Sequence, residues 1–114
     1  MRLDTLLRCL QSAGLEDQPE VWDSIMARCY ESFYSAQETH IAQTYISQMK
    51  TTGARIDALI AIGQLREGYK AAVKSKNKVA HVLRIRAAAI HLDKKSTLKK
   101  CDEWLQRNAP EYLK

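Results

Sequence analysis

Apolar residues recur at helical spacing along almost the whole chain, and short polar breaks separate the runs. The clearest stripe follows the i, i+3, i+4, i+7 spacing of one helix face and comprises Trp22, Ile25, Met26, Cys29, Tyr30 and Phe33. Runs of this kind predict seven short helices. Helix-forming residues dominate, and the chain has only four Gly and two Pro, so we expect an all-α fold.

Local signals predict where several of these helices begin and end. The predicted starts are Asp4, the cap Asp17 ahead of Pro19, the capping box Ser35-Ala36-Gln37-Glu38 and the cap Ser96. The predicted ends are Gly14, Gly63 and the pair Asn108 and Pro110. The breaks between helices are therefore only a few residues long.

The segment 54–77, ARIDALIAIGQLREGYKAAVKSKN, indicates how the helices are arranged. Its first helix is apolar around most of its circumference, with Ile56, Leu59, Ile60 and Ile62. Such a short helix needs neighbours on several sides. We therefore expect short antiparallel helices stacked as an α-solenoid-like array of about seven helices. The sequence shows no clean 34-residue repeat, so a regular tetratricopeptide array is not expected.

Length and charge add to this picture. A chain of 114 residues suits one core, and we expect residues 1–114 to form a single interaction module that belongs to a longer protein. Residues 1–65 carry 5 Lys or Arg and 8 Asp or Glu, whereas residues 66–100 carry 11 Lys or Arg and only two acids, a net charge of +9. A charge concentrated in one region indicates a partner of opposite charge.

No residue pattern points to catalysis or to a bound cofactor. The three cysteines, Cys9, Cys29 and Cys101, have no paired spacing, so we interpret each as a buried, reduced thiol of a cytoplasmic protein. No metal-binding or phosphate-binding motif occurs, and His40 has no partner nearby in sequence. We therefore expect no metal, no cofactor and no enzyme activity. No secretory leader or membrane span is expected either.

The candidate binding residues are the basic ones. Lys70, Lys74 and Lys78 recur at four-residue spacing, and the first two share a helix face opposite the apolar face that contains Tyr69. The stripe is explained by a solvated helix face, by an acidic protein surface as partner, or by nucleic acid or anionic lipid. Nucleic acid is the least expected, because binding usually needs stacking aromatic residues and Tyr69 faces the other way.

The predicted sixth helix contains an anomaly. Its apolar face comprises Val79, Val82, Leu83, Ala89 and Ile90, and Arg86 projects into the same arc.

Arg86 therefore either pairs internally with an acid such as Asp57 or Glu67, extends outward to solvent, or anchors a partner protein. Arg84 lies with His81 and His91 on the more polar side, which we interpret as solvated, and is the second candidate anchor.

Three other aromatic residues, Tyr34, Trp104 and Tyr112, are interpreted as core or end-packing residues.

The run from Ala58 to Val73, ALIAIGQLREGYKAAV, resembles the carboxyl-terminal helical region of class C vacuolar protein sorting subunits of the HOPS/CORVET kind. In that region an apolar helix ends in a Gly turn and leads to an Ala-rich helix. The resemblance extends over about residues 38–92. Gly68 departs from it, because such repeats commonly place Ala there.

The resemblance implies a non-enzymatic scaffold of endosome and lysosome traffic. The partner it implies is a fusion regulator of the Sec/Munc class or another tethering-complex subunit. The protein would then be cytoplasmic and would reach endosomal and lysosomal membranes through its partners. The alternative function is a basic helical module that binds nucleic acid or anionic phospholipid, and steep salt dependence would identify it.

Overall fold

The computed structural model describes residues 3–113, and every regular element in that range is a helix. The described α-helices are α1 (Leu3–Ser12), α2 (Pro19–Ser35), α3 (Thr39–Ile46), α4 (Thr52–Ala61), α5 (Leu65–Lys74), α6 (Lys78–His91) and α7 (Lys95–Asn108). Two 3-10 helices, Leu15–Asp17 and Pro110–Leu113, complete the described elements. The prediction of an all-α fold with about seven short helices is confirmed.

The chain divides into two compact units, residues 1–58 and residues 59–114. In the first unit α2 packs against α3, and in the second unit α6 packs against both α5 and α7. Each of these pairs is joined by a connection of three residues, so the helices in each pair run antiparallel. The expectation of a single interaction module over residues 1–114 stays a prediction.

The same turn ends α2, α4 and α6. In each case one residue adopts a left-handed conformation, with φ of 65° at Gln37, 77° at Gly63 and 55° at Asp93. The next amide then donates a hydrogen bond to a carbonyl five residues earlier. These bonds are Glu38 to Phe33, Gln64 to Leu59 and Lys94 to Ala89, each 2.8 Å long. This is the Schellman motif, which satisfies carbonyls at a helix end.

The three turns reveal a repeat that the residue pattern conceals. Each turn joins two consecutive helices, first α2 to α3, then α4 to α5, then α6 to α7. The first helices of these pairs begin at residues 19, 52 and 78, which are 33 and 26 residues apart. Because helix length changes from pair to pair, a search for a fixed period finds no repeat.

Three predicted helix starts are wrong, and the turns explain two of them. The caps are Gln18, Glu38 and Lys94, and none makes a side-chain capping bond. Asp17 ends a 3-10 helix, Ser35 is the last residue of α2, and Ser96 lies inside α7. For the latter two, the left-handed residue fixes the next helix start, so a good capping side chain nearby has no influence. The predicted ends at Gly14, Gly63 and Asn108 are confirmed.

The first unit is anchored by two neighbouring side chains of α2. Trp22 is buried and donates a hydrogen bond from Nε1 to the carbonyl oxygen of Gln48, at 2.8 Å. The carboxylate of Asp23, which is only 7% exposed, accepts bonds from the amides of Lys50 (2.6 Å) and Thr51 (3.0 Å). The Lys50 ammonium also lies 4.3 Å from the centre of the Trp22 ring. Together these contacts hold the segment between α3 and α4 against α2.

The core of the second unit is centred on a different face of α6 from the one predicted. Val82, Ile85 and Ala89 are buried, whereas Ile90 is 54% exposed. Ile85 packs against the backbone of α5 at Gly68: a Cβ atom at that position would lie 2.6 Å from Ile85 Cδ1. The structure thus explains why Gly stands where Ala was expected, because Ile85 occupies the space of the missing side chain.

Candidate protein-interaction surfaces

The basic residues predicted as binding sites all lie in the second unit, but they do not form one cluster. Lys70 and Lys74 are exposed and stand one turn apart on α5. The Lys70 ammonium lies 3.5 Å from Glu67 Oε1, an exposed contact that contributes little to stability. Lys74 ends α5, and Lys78 begins α6 beyond the break. Arg84 is exposed on α6.

Arg86 forms an internal ion pair. Its Nε lies 2.6 Å from Asp102 Oδ1 on α7, and both side chains are partly exposed. Of the alternatives left open for Arg86, the structure shows the internal pair, and the acid is Asp102 and not Asp57 or Glu67. The pair joins α6 to α7, so the first role of Arg86 is to connect two helices of the second unit. Whether it also contacts a partner stays a prediction.

A second interhelical contact fixes the break between α5 and α6. Ser75 is buried, and its hydroxyl donates a hydrogen bond to the carbonyl oxygen of Ala72 at 2.7 Å. The same hydroxyl lies 2.8 Å from Nδ1 of His81. Because the hydroxyl proton is already used, we infer that His81 donates from Nδ1. His81 therefore holds the loop, which corrects its interpretation as a solvated side chain, whereas His91 is exposed as predicted.

An open groove of about 550 Å³ lies next to this break, and we name it the Trp104 groove. It lies between the amino-terminal part of α6 and the carboxyl-terminal end of the second unit. Its lining residues are Lys76, Asn77, Lys78, Val79, Ala80, Leu83, Trp104, Asn108 and Tyr112. Val79, Leu83 and Trp104 are partly buried, whereas Lys76 and Lys78 are exposed. The groove therefore combines an apolar lining with a basic edge.

The backbone adds to the positive potential of the Trp104 groove. The first amides of α6 have no acceptor within the helix, as in every α-helix. Asn77 is the cap residue, and its side chain makes no capping bond. These amides carry the positive end of the helix dipole beside Lys76 and Lys78.

The first unit has a smaller groove, of about 310 Å³, with acidic lining residues. It is lined in part by Glu20, Asp23, Tyr30 and Asp57. Burial, followed by the charges of Glu31 and Asp57, raises the pKa of the Tyr30 phenol. Asp23 already accepts two backbone bonds, so its carboxylate has a structural role here.

The three thiols differ in their surroundings. Cys9 is exposed, which contradicts its interpretation as a buried residue: α1 buries only Leu10 among its described residues. Cys29 is partly buried, and burial raises its pKa. Cys101 is fully buried, and burial, with a further contribution from Asp102, raises its pKa to about 11. A thiol of this kind is a poor nucleophile at neutral pH.

Two observations bear on chemistry and on membranes. Within residues 3–113, no three His, Cys, Asp or Glu side chains are placed to hold a metal ion. No helix of the described part of the chain is long and apolar enough to cross a bilayer.

Sequence reasoning missed the groove because its parts are distant in the chain. Lys76 lies between the predicted fifth and sixth helices and belongs to no i, i+4 series. Trp104 was interpreted as a core or end-packing residue, although its side chain is only partly buried. Tyr112, interpreted in the same way, is 51% exposed and lines the groove, and Tyr34 is 41% exposed. Only the fold brings the loop before α6 next to the end of α7.

A family model described as "ZFYVE26-like, TPR repeats" matches residues 1–106. No curated protein and no solved structure matches the chain. The match confirms a helical repeat family, and the finer resemblance to class C sorting subunits stays a prediction. The matched family is one of tetratricopeptide repeats, while the intervals of 33 and 26 residues agree with the expectation that no regular 34-residue array is present. Three consecutive helix pairs joined by one kind of turn, together with this match over almost the whole chain, show that the protein belongs to the family of ZFYVE26-like TPR repeats.

Proposed function

We propose that this chain is a non-enzymatic protein-interaction module of endosomal and lysosomal membrane traffic. Helical repeats of the TPR kind generally bind other proteins, which supports the first part of the proposal. The resemblance of residues 38–92 to class C sorting subunits supports the second part. It also makes a Sec/Munc-class fusion regulator or another tethering subunit the first partner to test.

The observation that carries the proposal is a group of three lysines without an ion pair around the break between α5 and α6. Among residues 3–113, no carboxylate lies within 4.0 Å of the ammonium groups of Lys74, Lys76 or Lys78. These charges contribute no ion pair to the fold, so they are available to a partner. An acidic protein surface would be attracted to them and oriented by them.

The test is affinity purification of the tagged full chain from cells, with partners identified by mass spectrometry after washes of increasing salt. We expect a folded protein partner that remains bound at about 0.3 M NaCl, where surface charges are strongly screened. The tagged chain should also cofractionate with endosomal or lysosomal membranes.

Charge-reversal variants make the test specific. Lys74→Glu/Lys76→Glu should weaken retention of the partner. Lys94→Glu/Lys95→Glu makes the same change in charge at exposed positions near the start of α7 and should leave retention unchanged. If no protein is retained and the chain instead binds RNA or anionic liposomes in a steeply salt-dependent manner, the alternative function replaces this one.

A further inference from the structure

The Trp104 groove has the composition of a peptide-binding site. Its volume of about 550 Å³ is within the range of ligand pockets. Partly buried apolar side chains, among them Leu83 and Trp104, form part of the lining. Among the described residues that line the groove, two are lysines and none is acidic.

We propose that the Trp104 groove binds an acidic segment of a partner protein, which inserts an apolar anchor side chain against Trp104 and Leu83. The inference rests on the proposed function as a protein-binding module and assigns one site within it. Tryptophan is enriched at the hot spots near the centre of protein interfaces, where it combines a large apolar face with a hydrogen-bond donor.

The positive charge of the groove determines the charge of its partner. Lys76 and Lys78 are exposed at its edge and have no carboxylate partner within residues 3–113. The uncapped start of α6 adds a positive helix end at the same place. A basic or neutral segment would gain nothing from this arrangement, whereas Asp and Glu side chains complement it.

The arrangement of aromatic residues favours a peptide over a nucleic acid. A single-stranded nucleic acid stacks successive bases on a series of exposed aromatic rings. Here Trp104 is partly buried, and Tyr112 is the only other aromatic residue among those that line the groove. One partly buried ring suits a single inserted side chain.

Indole NMR signals of the full chain provide a direct test. The chain has two tryptophans, and Trp22 lies in the first unit with its indole N–H bound to Gln48. Trp22 therefore serves as an internal control for Trp104. The probe is a synthetic peptide of alternating Asp and Glu with a central Leu-Phe pair. Two control peptides carry Ser-Ser in place of Leu-Phe, or Lys in place of every acid.

We expect the acidic Leu-Phe peptide to shift the Trp104 indole signal and to leave the Trp22 signal in place. Lys76→Glu/Lys78→Glu should weaken binding about tenfold or more, since it reverses both charges at the edge. Lys94→Glu/Lys95→Glu, the same change away from the groove, should bind as the wild type does. Both control peptides should bind at least about tenfold more weakly, because each lacks one half of the complementarity.

Several results would overturn the proposal. One is an unmoved Trp104 signal at saturating peptide. Another is equal binding of the Ser-Ser peptide, which would show that charge alone acts. A third is an equal loss of affinity in the Lys94→Glu/Lys95→Glu variant. Preferential binding of an RNA oligonucleotide with a shift of Trp104 would assign the groove to nucleic acid instead.

The two proposals fail in distinguishable ways. If the cellular partner is captured but the peptide does not bind, the groove assignment is wrong and the module uses another surface. If the wild-type chain captures no protein partner, the proposed function itself is wrong, whatever the peptide does.

Discussion

Replacing Gly68 by Ala tests the packing between α5 and α6. A glycine inside a helix normally costs stability, and Gly→Ala at an exposed helical site stabilises by about 0.5–1 kcal/mol. At Gly68 the new Cβ would lie 2.6 Å from Cδ1 of Ile85, a side chain with no exposure to solvent. Overpacking of this kind costs about 1–3 kcal/mol. We therefore expect Gly68→Ala to destabilise the protein by about 1 kcal/mol.

The variant Ile85→Val removes Cδ1, the atom that the new Cβ at position 68 would overlap. On its own it should cost about 1 kcal/mol through lost packing. In that background the new Cβ at position 68 meets only ordinary contacts. In the wild-type structure these atoms are Ile85 Cγ1, at 3.8 Å, and Leu59 Cβ, at 3.9 Å. Gly68→Ala should then stabilise by about 1 kcal/mol, which restores roughly the wild-type stability. The expected coupling between the two substitutions is about 2 kcal/mol.

Urea denaturation followed by circular dichroism, on the four proteins of this double-mutant cycle, measures the free energies of unfolding. A coupling near zero would refute the reasoning, because Gly68→Ala would then have the same effect with and without Cδ1. If the coupling is near zero and Gly68→Ala is stabilising in both backgrounds, Ile85 reorients at no cost. In that case the glycine has no packing role.

Three further predictions concern other contacts. Asp23→Ala should lower the free energy of unfolding by about 2 kcal/mol, because two partly buried hydrogen bonds from backbone amides lose their charged acceptor. Asp17→Ala, at the exposed residue wrongly predicted as a cap, should change the free energy of unfolding by less than about 0.5 kcal/mol in the same urea experiment. Gln37→Gly should raise the midpoint of thermal unfolding, and Asp93→Gly should raise it less, because a left-handed backbone strains Gln more than Asp. A lower midpoint in either variant would contradict the assignment of these turns. Unfolding free energy should fall as pH rises from about 9 to 11, since the unfolded chain loses the Cys101 proton first, and Cys101→Ala should reduce that slope.

The raised pKa of Cys101 is the reason that the free energy of unfolding should fall at alkaline pH. The folded protein holds the Cys101 thiol with a pKa of about 11, against an ordinary value of 9.0. The contribution to stability is complete below pH 9 and disappears as the pH rises through 11. Burial also raises the pKa of the phenols of Tyr30, Tyr45 and Tyr69. Some alkaline loss of stability will therefore remain in Cys101→Ala.

Hydrophobic periodicity was enough to predict the helices and their number. The stripe on α2 and the Gly63 break depend on residues close together in sequence, so the pattern contains the necessary information. Cap positions were predicted less well. Ser35 and Ser96 have suitable side chains, but the left-handed residues Gln37 and Asp93 fix where the next helix begins, and neither is the glycine that usually announces such a turn.

The face of α6 shows a different limit. The predicted face of α6 includes Ile90 and leaves out Ile85. Its centre is therefore rotated around the helix axis, and Arg86 falls within it. The buried centre formed by Val82, Ile85 and Ala89 puts Arg86 about 70° away, at the edge of the face. There Arg86 reaches Asp102 on the next helix, so the anomaly was a consequence of the wrong centre.

The candidate site could be predicted only in part. The excess of positive charge in residues 66–100 is visible in the sequence, and Lys78 was among the candidates. The groove itself depends on contact between residues near 78 and residues near 108, a tertiary arrangement that no local pattern contains. The exposure of Cys9 could not be predicted for a related reason, because it depends on which side of α1 packs against the rest of the first unit.

Each Schellman turn is closed by atoms within six residues, as from Phe33 to Glu38. The closing bond of each turn therefore needs no atom from elsewhere in the chain. Duplicating one helix pair, or lengthening a helix by a turn, therefore leaves the closing hydrogen bond of each turn in place. Successive helix pairs can therefore begin 33 and 26 residues apart and still alternate helix and turn in the same order.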